Sequence, residues 1–114
     1  MKYLVIASGG PGFVSPEEAV SVLENLILPS FDSLIRLEKE GKILGGGLPV
    51  GERAFAFVIE AGSNDELDRT LRALPMWGMI DWEVTALQSF AGRAEIERTT
   101  VAALKKSAKG RGKK

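Results

Sequence analysis

The run Arg53–Ala61, RAFAFVIEA, decides the fold because apolar side chains occupy both of its alternating sets of positions. Successive side chains of a β-strand point to opposite faces of the sheet. One face would hold Phe55, Phe57 and Ile59, and the other would hold Ala54, Ala56 and Val58. A strand with this pattern is expected in a sheet whose two faces are both covered.

Helix and strand signals follow this run directly. Ser63-Asn64-Asp65-Glu66 is a capping box, in which an N-cap serine and a glutamate three residues later satisfy free backbone N–H groups. Leucines spaced four and three residues apart then predict a short amphipathic helix, which Pro75 ends. These leucines are Leu67, Leu71 and Leu74. The segment Ile80–Phe90 predicts the last strand.

The N-terminal half is organised by the same signals. Lys2–Ser8 is an apolar run that ends in a glycine-rich loop, so it predicts the first strand. Ser15-Pro16-Glu17-Glu18 is another capping box with proline at the first helical position, and the helical pattern after it extends to Glu40. Because Pro29 lies inside this helix, a kink or a split is expected near Leu28.

The segment Lys42–Val50 completes the sheet. It contains three successive glycines and a proline, and a segment of this composition is too flexible for a central strand. We therefore predict an edge strand with a bulge. The order is then β-α-β-β-α-β with a C-terminal helix, the ferredoxin-like α+β fold in which both helices cover one face of an antiparallel sheet. Because the other face is also apolar, we expect two sheets to stack as a homodimer, a dimeric α+β barrel.

Three regions are expected along the chain. Residues 1–91 predict one domain with a single core. Residues 92–104, which contain Ile96, Val101 and Leu104, predict an amphipathic helix. Residues 105–114 hold six of the fifteen positive charges and no acid, so we expect a disordered, solubilising tail. Association of this tail with nucleic acid is the weaker alternative, because no recognition motif accompanies the charges.

Composition removes several kinds of chemistry. The chain contains no cysteine and no histidine, which excludes disulfides, thiolate nucleophiles and the commonest metal ligand, so no metal site is expected. No window approaches the roughly 18 uncharged apolar residues that cross a bilayer. The N-terminal run is too short for a secretory signal, so a cytoplasmic protein without membrane contact is expected. Proton transfer would use a carboxylate, Tyr3 or a lysine.

Charged candidates for a site lie on the last two predicted strands. Asp81 and Glu83 are two positions apart, which places their carboxylates on one face about 7 Å apart, as a catalytic acid and base would be. Solvated acids at a strand entrance are the plainer alternative. Arg53, next to a flexible turn, is a candidate for binding a ligand carboxylate bidentately. A surface ion pair with Glu52 or Asp81 is its alternative.

Aromatic candidates would form the walls of a binding pocket. Trp77, in the loop after the second helix, and Trp82, on the last strand, are suited to hold a flat ring. Packing in the core or at a subunit interface is an equally good interpretation of both. Tyr3, near the start of the first strand, is a candidate to place a phenol in the same cavity.

The second half of the chain resembles the C-terminal half of muconolactone isomerases. The residues that carry the resemblance are Ser63-Asn64-Asp65-Glu66-Leu67, Leu71, Leu74-Pro75, Asp81, Glu83-Val84-Thr85 and Leu87. The spacing from Gly41-Lys42 through Gly51 to Ser63 is similar to that family as well. The second strand differs, because Ile43–Pro49 stands where the family carries aromatic and basic residues.

This resemblance implies both an assembly and an activity. Muconolactone isomerases have a ferredoxin-like fold, assemble through dimers into larger rings, use no cofactor and shift a double bond in a small lactone carboxylate during aromatic catabolism. The first hypothesis is therefore a cofactor-free isomerase that acts by proton transfer on a lactone or another small carboxylated metabolite. The alternative is a non-catalytic oligomeric module of this fold that binds a small ligand or another protein.

Overall fold

A four-stranded antiparallel sheet lies at the centre of the part of the chain that the structure, a computed structural model, describes, residues 1–10 and 12–111. The strands are β1 (Lys2–Ser8), β2 (Ile43–Gly47), β3 (Phe55–Glu60) and β4 (Asp81–Leu87), in the spatial order β2-β3-β1-β4. The helices are α1 (Pro16–Val22), α2 (Leu28–Lys39), α3 (Asn64–Arg72) and α4 (Phe90–Arg111). This arrangement confirms the predicted ferredoxin-like α+β fold.

The two faces of the sheet have different neighbours. Side chains of paired residues point to the same face, so Val5 shares a face with Phe57 and Val84. This face packs under the helices, and its buried residues include Tyr3, Val5, Ala7, Phe55, Phe57 and Ile59. The opposite face carries Leu4 and Val58, which are half-buried, and Ile6, which is 36% exposed. No described helix covers that second face.

Both predicted capping boxes are present. The Ser15 hydroxyl accepts the N–H of Glu18 at 3.1 Å, and the Ser63 hydroxyl accepts the N–H of Glu66 at 3.1 Å. The glutamates reach back in turn, since Glu66 accepts the N–H of Gly62 at 2.5 Å. Local hydrogen bonds therefore fix where α1 and α3 begin.

Pro29 changes the helix geometry just before α2, as the sequence predicts. The residues Leu23–Ile27 form a π-helical turn between α1 and α2, so the two helices are continuous but not uniform. Proline has no N–H to donate to the preceding turn, and a wider turn accommodates its ring.

The edge strand β2 contains the predicted bulge. Its pairing with β3 shifts between Ile43 and Gly45, and Gly46 has a φ of 137°, which side-chain-bearing residues rarely adopt. A Cβ on Gly46 would overlap the carbonyl oxygen of Ala56 and the Cα of Phe57. The glycine therefore permits the close approach of β2 to β3.

The C-terminal helix is longer than expected at both ends. It begins at Phe90, where the Ser89 hydroxyl accepts the N–H of Gly92 at 3.0 Å. It continues through residues 105–111, which corrects the prediction of a disordered tail for that part, because lysine is a good helix former and favours a helix C-terminus. Residues 112–114 lie outside the described residues. No helix in the described ranges combines the length and the apolar composition needed to cross a membrane.

Replacing Gly46 by alanine should destabilise the fold by about 2 kcal/mol or more, because the new Cβ has no space and the φ is unfavourable. Chemical denaturation monitored by circular dichroism measures the change. The matched controls are Gly45→Ala and Gly47→Ala, whose Cβ atoms would meet nothing within 4 Å. Equal stability of all three variants would contradict this account of β2.

Candidate functional site

A cleft opens where the loop after β1 meets the start of β3, the π turn and α2. We call it the Arg53 cleft, and its volume is about 220 Å³. Apolar and aromatic side chains dominate its wall, while Glu52 and Arg53 supply charge. Residues that define it include Phe13, Ile27, Phe31, Arg53, Phe55 and Ile80. Such a cleft fits a small ligand with an apolar body and an anionic group.

The glycine-rich loop brings backbone close to Arg53. The guanidinium carbon of Arg53 lies 5.6 Å from the ring centroid of Phe13, within the range of a cation–π contact. A Cβ on Gly10 would lie 3.3 Å from the Cβ of Arg53, and one on Gly12 would lie 3.3 Å from its Nη1. Glycine at these positions therefore lets the loop lie against the arginine at the mouth of the cleft.

A second cleft adjoins the first one. It has a volume of about 270 Å³ and shares Phe31, Leu48 and Phe55 with the Arg53 cleft. Its wall is formed mainly by apolar residues of α2 and by the glycines of β2. The two clefts together form a continuous apolar surface between α2 and the β2–β3 edge.

The two tryptophans pack beside the Arg53 cleft rather than inside it. Trp82 lies edge-on to Phe55, with ring centroids 5.6 Å apart, and its indole N–H donates to the carbonyl oxygen of Trp77 at 2.9 Å. The ring of Trp77 is covered by the Arg72 guanidinium, whose carbon lies 4.4 Å from the ring centroid. Trp82 therefore supports a ring that lines the cleft, while Trp77 anchors the loop before β4.

Ser30 fixes this loop from the helix side. Its side chain is 0% exposed, donates to the carbonyl oxygen of Leu26 at 2.7 Å and accepts the N–H of Met76 at 3.0 Å. A buried serine that joins a helix to a loop in this way holds both at a fixed distance. Since Met76 lines the Arg53 cleft, Ser30 determines part of its shape.

Tyr3 lies away from the Arg53 cleft, at the opposite end of β1. Its ring is buried, and its hydroxyl donates to Asn64 Oδ1 at 2.6 Å. It lines a separate cavity of about 200 Å³ with Leu67, Leu71 and Val84. Tyr3 and Arg53 are therefore not brought together in one site.

The two acids of β4 lie on the face of the sheet that the helices leave uncovered. Asp81 pairs with Ser8 and Glu83 pairs with Ile6, and both carboxylates are exposed. Asp81 also approaches the glycine-rich loop, because a Cβ on Gly9 would lie 3.0 Å from Asp81 Oδ2. Asp81 is therefore near the rim of the Arg53 cleft. Glu83 lies two residues further along β4 and is more distant from that rim.

Glu52 is a site residue that the sequence interpretation did not select. It lines the Arg53 cleft together with its neighbour Arg53. In the sequence, Glu52 stands beside an arginine in a flexible turn. That position by itself predicts a surface ion pair and not a place in a cleft. Among the described residues, no group of three or more Asp and Glu side chains is arranged to hold a metal ion.

Comparison with known sequences identifies one protein family. A family model described as muconolactone delta-isomerase matches residues 15–92, which include α1 to β4 and the residues of the Arg53 cleft from Leu23 to Ile80. No curated protein sequence matches the chain.

Solved structures with a similar fold include two proteins. A crystal structure of muconolactone isomerase at 3.3 Å resolution is 26% identical in sequence, covers 78% of this chain and 90% of its own, and superposes with a TM-score of 0.65. The 5-chloro-2-hydroxyhydroquinone dehydrochlorinase from Burkholderia phenoliruptrix, in complex with 2,5-dihydroxybenzoquinone, is 22% identical, covers 77% of this chain and 94% of its own, and has a TM-score of 0.55. The second likeness concerns the fold alone.

Proposed function

Because the chain belongs to the muconolactone delta-isomerase family, we propose that it is a small-molecule isomerase which shifts a double bond in a lactone or another small carboxylate by proton transfer, without a cofactor. The observation that carries this proposal is an exposed arginine at the mouth of an aromatic cleft.

Arg53 is the proposed ligand for the substrate carboxylate. A guanidinium group binds a carboxylate through two parallel hydrogen bonds, which fixes its orientation as well as its position. The rings of Phe31 and Phe55 then offer an apolar surface for the body of a flat lactone. Trp82 supports this surface from behind through its edge contact with Phe55.

The proposed reaction moves one proton between two carbons. A carboxylate removes a proton from a carbon next to the conjugated system, and the electron pair moves toward the carbonyl oxygen to form a dienolate. The same carboxylic acid then returns a proton to a different carbon, so that no proton is gained or lost overall. The Arg53 guanidinium stabilises the negative charge that develops in between.

Glu52 and Asp81 are the acids best placed for this transfer. Glu52 lines the cleft, and Asp81 lies against the loop at its rim. Of the two acids that the sequence suggested, Asp81 therefore remains a candidate. Glu83 is the weaker candidate, because it lies beside Ile6, further from the glycine-rich loop at the rim of the cleft.

Replacing Arg53 by glutamine should raise KM for a lactone carboxylate about 10- to 100-fold, because a charged hydrogen bond contributes ~1.5–3 kcal/mol. The assay follows the conversion of muconolactone and related lactones by their ultraviolet absorbance. Arg69→Gln, which removes an exposed arginine on α3, is the matched control and should leave KM unchanged. An equal effect of both variants would show that only overall charge matters.

Neutralising the acids separately should identify the one that transfers the proton. Glu52→Gln or Asp81→Asn is expected to lower kcat by about 100-fold or more, while Glu83→Gln should change it by less than about twofold. Turnover that survives all three substitutions would remove these acids from the mechanism. Binding of lactones by the wild-type protein without any turnover would favour the alternative of a non-catalytic binding module.

Self-association through the uncovered face of the sheet is part of the proposal. Leu4, Ala56 and Val58 are already half-buried there, and Ile6 and Leu87 extend the apolar surface. A second copy of the same face would remove these side chains from water and form a symmetric dimer.

Ile6→Glu should convert a dimer into a monomer at micromolar concentration, because a carboxylate would be buried in the contact next to Glu83. Sedimentation equilibrium measures the mass. Val50→Glu is the matched control, since Val50 is fully exposed in the turn after β2. A wild-type protein that is monomeric under these conditions would contradict the sheet contact.

A further inference from the structure

The helix α4 forms an arm that does not pack on its own chain. From Phe90 to Gly110 the described residues are exposed, apart from the partly exposed Gly92 and Ala94. Phe90 is 98% exposed, and Val101 and Leu104 are also open to solvent. The described structure extends over 79 Å in its longest direction, although its other extents are only 29 and 24 Å.

An unsupported helix of this composition is marginal in water. Helices in proteins are stabilised mainly by packing of an apolar face, because the intrinsic preference of the residues contributes little. The arm also contains glycines and a Thr99-Thr100-Val101 run, which favour the helix less than alanine does. A contact outside its own chain would supply the missing stabilisation.

One side of the arm is suited to such a contact. Phe90, Ala94, Val101, Leu104 and Ala108 lie on one side of the helix, and Glu97 interrupts this stripe between Ala94 and Val101. Arg98, Lys105 and Lys109 follow the same periodicity along one flank of that stripe. Residues 98–111 carry no acid. From residue 98 onward the arm therefore presents apolar side chains with a basic border, whereas its first half also carries acids.

A complementary stripe lies on the outer side of the long helical segment, residues 16–39, which consists of α1, the π turn and α2. Val20, Glu24, Leu28 and Asp32 are exposed and are four residues apart. We call them the acidic stripe. Residues 16–35, which contain them, carry Glu17 and Glu18 in addition and no lysine or arginine. This surface combines exposed aliphatic side chains with uniform negative charge.

We propose that the arm of one chain docks on the acidic stripe of another copy of this chain. The segregation of charge supports this partner, because residues 1–89 carry seven basic and thirteen acidic residues, whereas residues 90–114 carry eight basic and two acidic ones. Opposite charges on the two surfaces bring the arm to the helices, and the apolar stripes then exclude water between them.

The order of charges fixes the direction of the arm. Its acids, Glu95 and Glu97, lie near its start, and its lysines lie near its end. On the long helical segment Glu17, Glu18 and Glu24 lie near the start, while the end of α2 combines Arg36 and Lys39 with Glu38. An antiparallel arrangement therefore brings the basic end of the arm to the acidic start of the helical segment, while a parallel one brings it to the mixed charges at the end of α2.

This contact is separate from the sheet contact and from the proposed reaction. The acidic stripe lies on the outer side of the helices, and the apolar sheet face lies on the other side of the body. A chain can therefore make both contacts at once. Loss of catalysis or of the sheet dimer leaves the arm contact in place.

Cross-linking from the arm tests the proposal in the full-length protein. The chain has no cysteine, so a single Leu104→Cys substitution carries a benzophenone label at one defined position. Illumination should yield a product of twice the chain mass, with the cross-link mapped by mass spectrometry to residues 16–35. Cross-links within the same chain, to residues outside the helical segment or to none would overturn the proposal.

Charge reversal tests which surfaces meet. Lys105→Glu with Lys109→Glu in the labelled chain should reduce the cross-link to unlabelled wild-type protein by about tenfold. Adding unlabelled protein that carries Glu17→Lys and Glu24→Lys should restore it, because the charges are again opposite. Circular dichroism checks that every variant is folded.

A matched control carries Glu40→Lys and Asp65→Lys, two exposed acids outside the acidic stripe. It should not restore the cross-link, and equal restoration would show that net charge alone is responsible. Cross-linking that is unaffected by reversal of the arm lysines would also contradict the proposal. Capture of the labelled arm by added nucleic acid in preference to a second chain would assign the basic border to another partner.

Discussion

The apolar character of β3 on both of its faces is the constraint on which the structure depends. Phe55, Phe57 and Ile59 need the helices above them, so the chain must return over one face of the sheet after β1 and again after β3. Ala56 and Val58 remain on the other face without a cover from the described chain. The fold and the proposed self-association thus have the same physical origin.

The site follows from how the helices meet the sheet. The π turn before Pro29 and the buried hydroxyl of Ser30 place α2 over the start of β3, and the glycine-rich loop closes the end of the gap. What remains is an apolar cleft with Arg53 at its mouth. Its aromatic lining is continuous with the core, so a ligand there would bind to a surface that packing already holds rigid.

Charge is distributed unevenly along the chain. The net charge of zero conceals an acidic body and a basic arm, which do not pack on each other within one chain. This separation of charge stabilises a single chain little, but it favours the proposed contact between copies, because each copy carries both surfaces.

The sequence by itself determined the strands, their order, the bulged edge and the starts of α1 and α3, because caps, glycines and periodic apolar residues act between neighbours. It also placed Asp81 and Glu83 on one face of β4. Only the tertiary structure decided that Phe13 covers Arg53, that Glu52 lines the cleft, that Tyr3 lies at the other end of β1 and that the arm leaves the body. These relations join residues far apart in the chain, and they depend on strand register and on packing across the core, which no local pattern encodes.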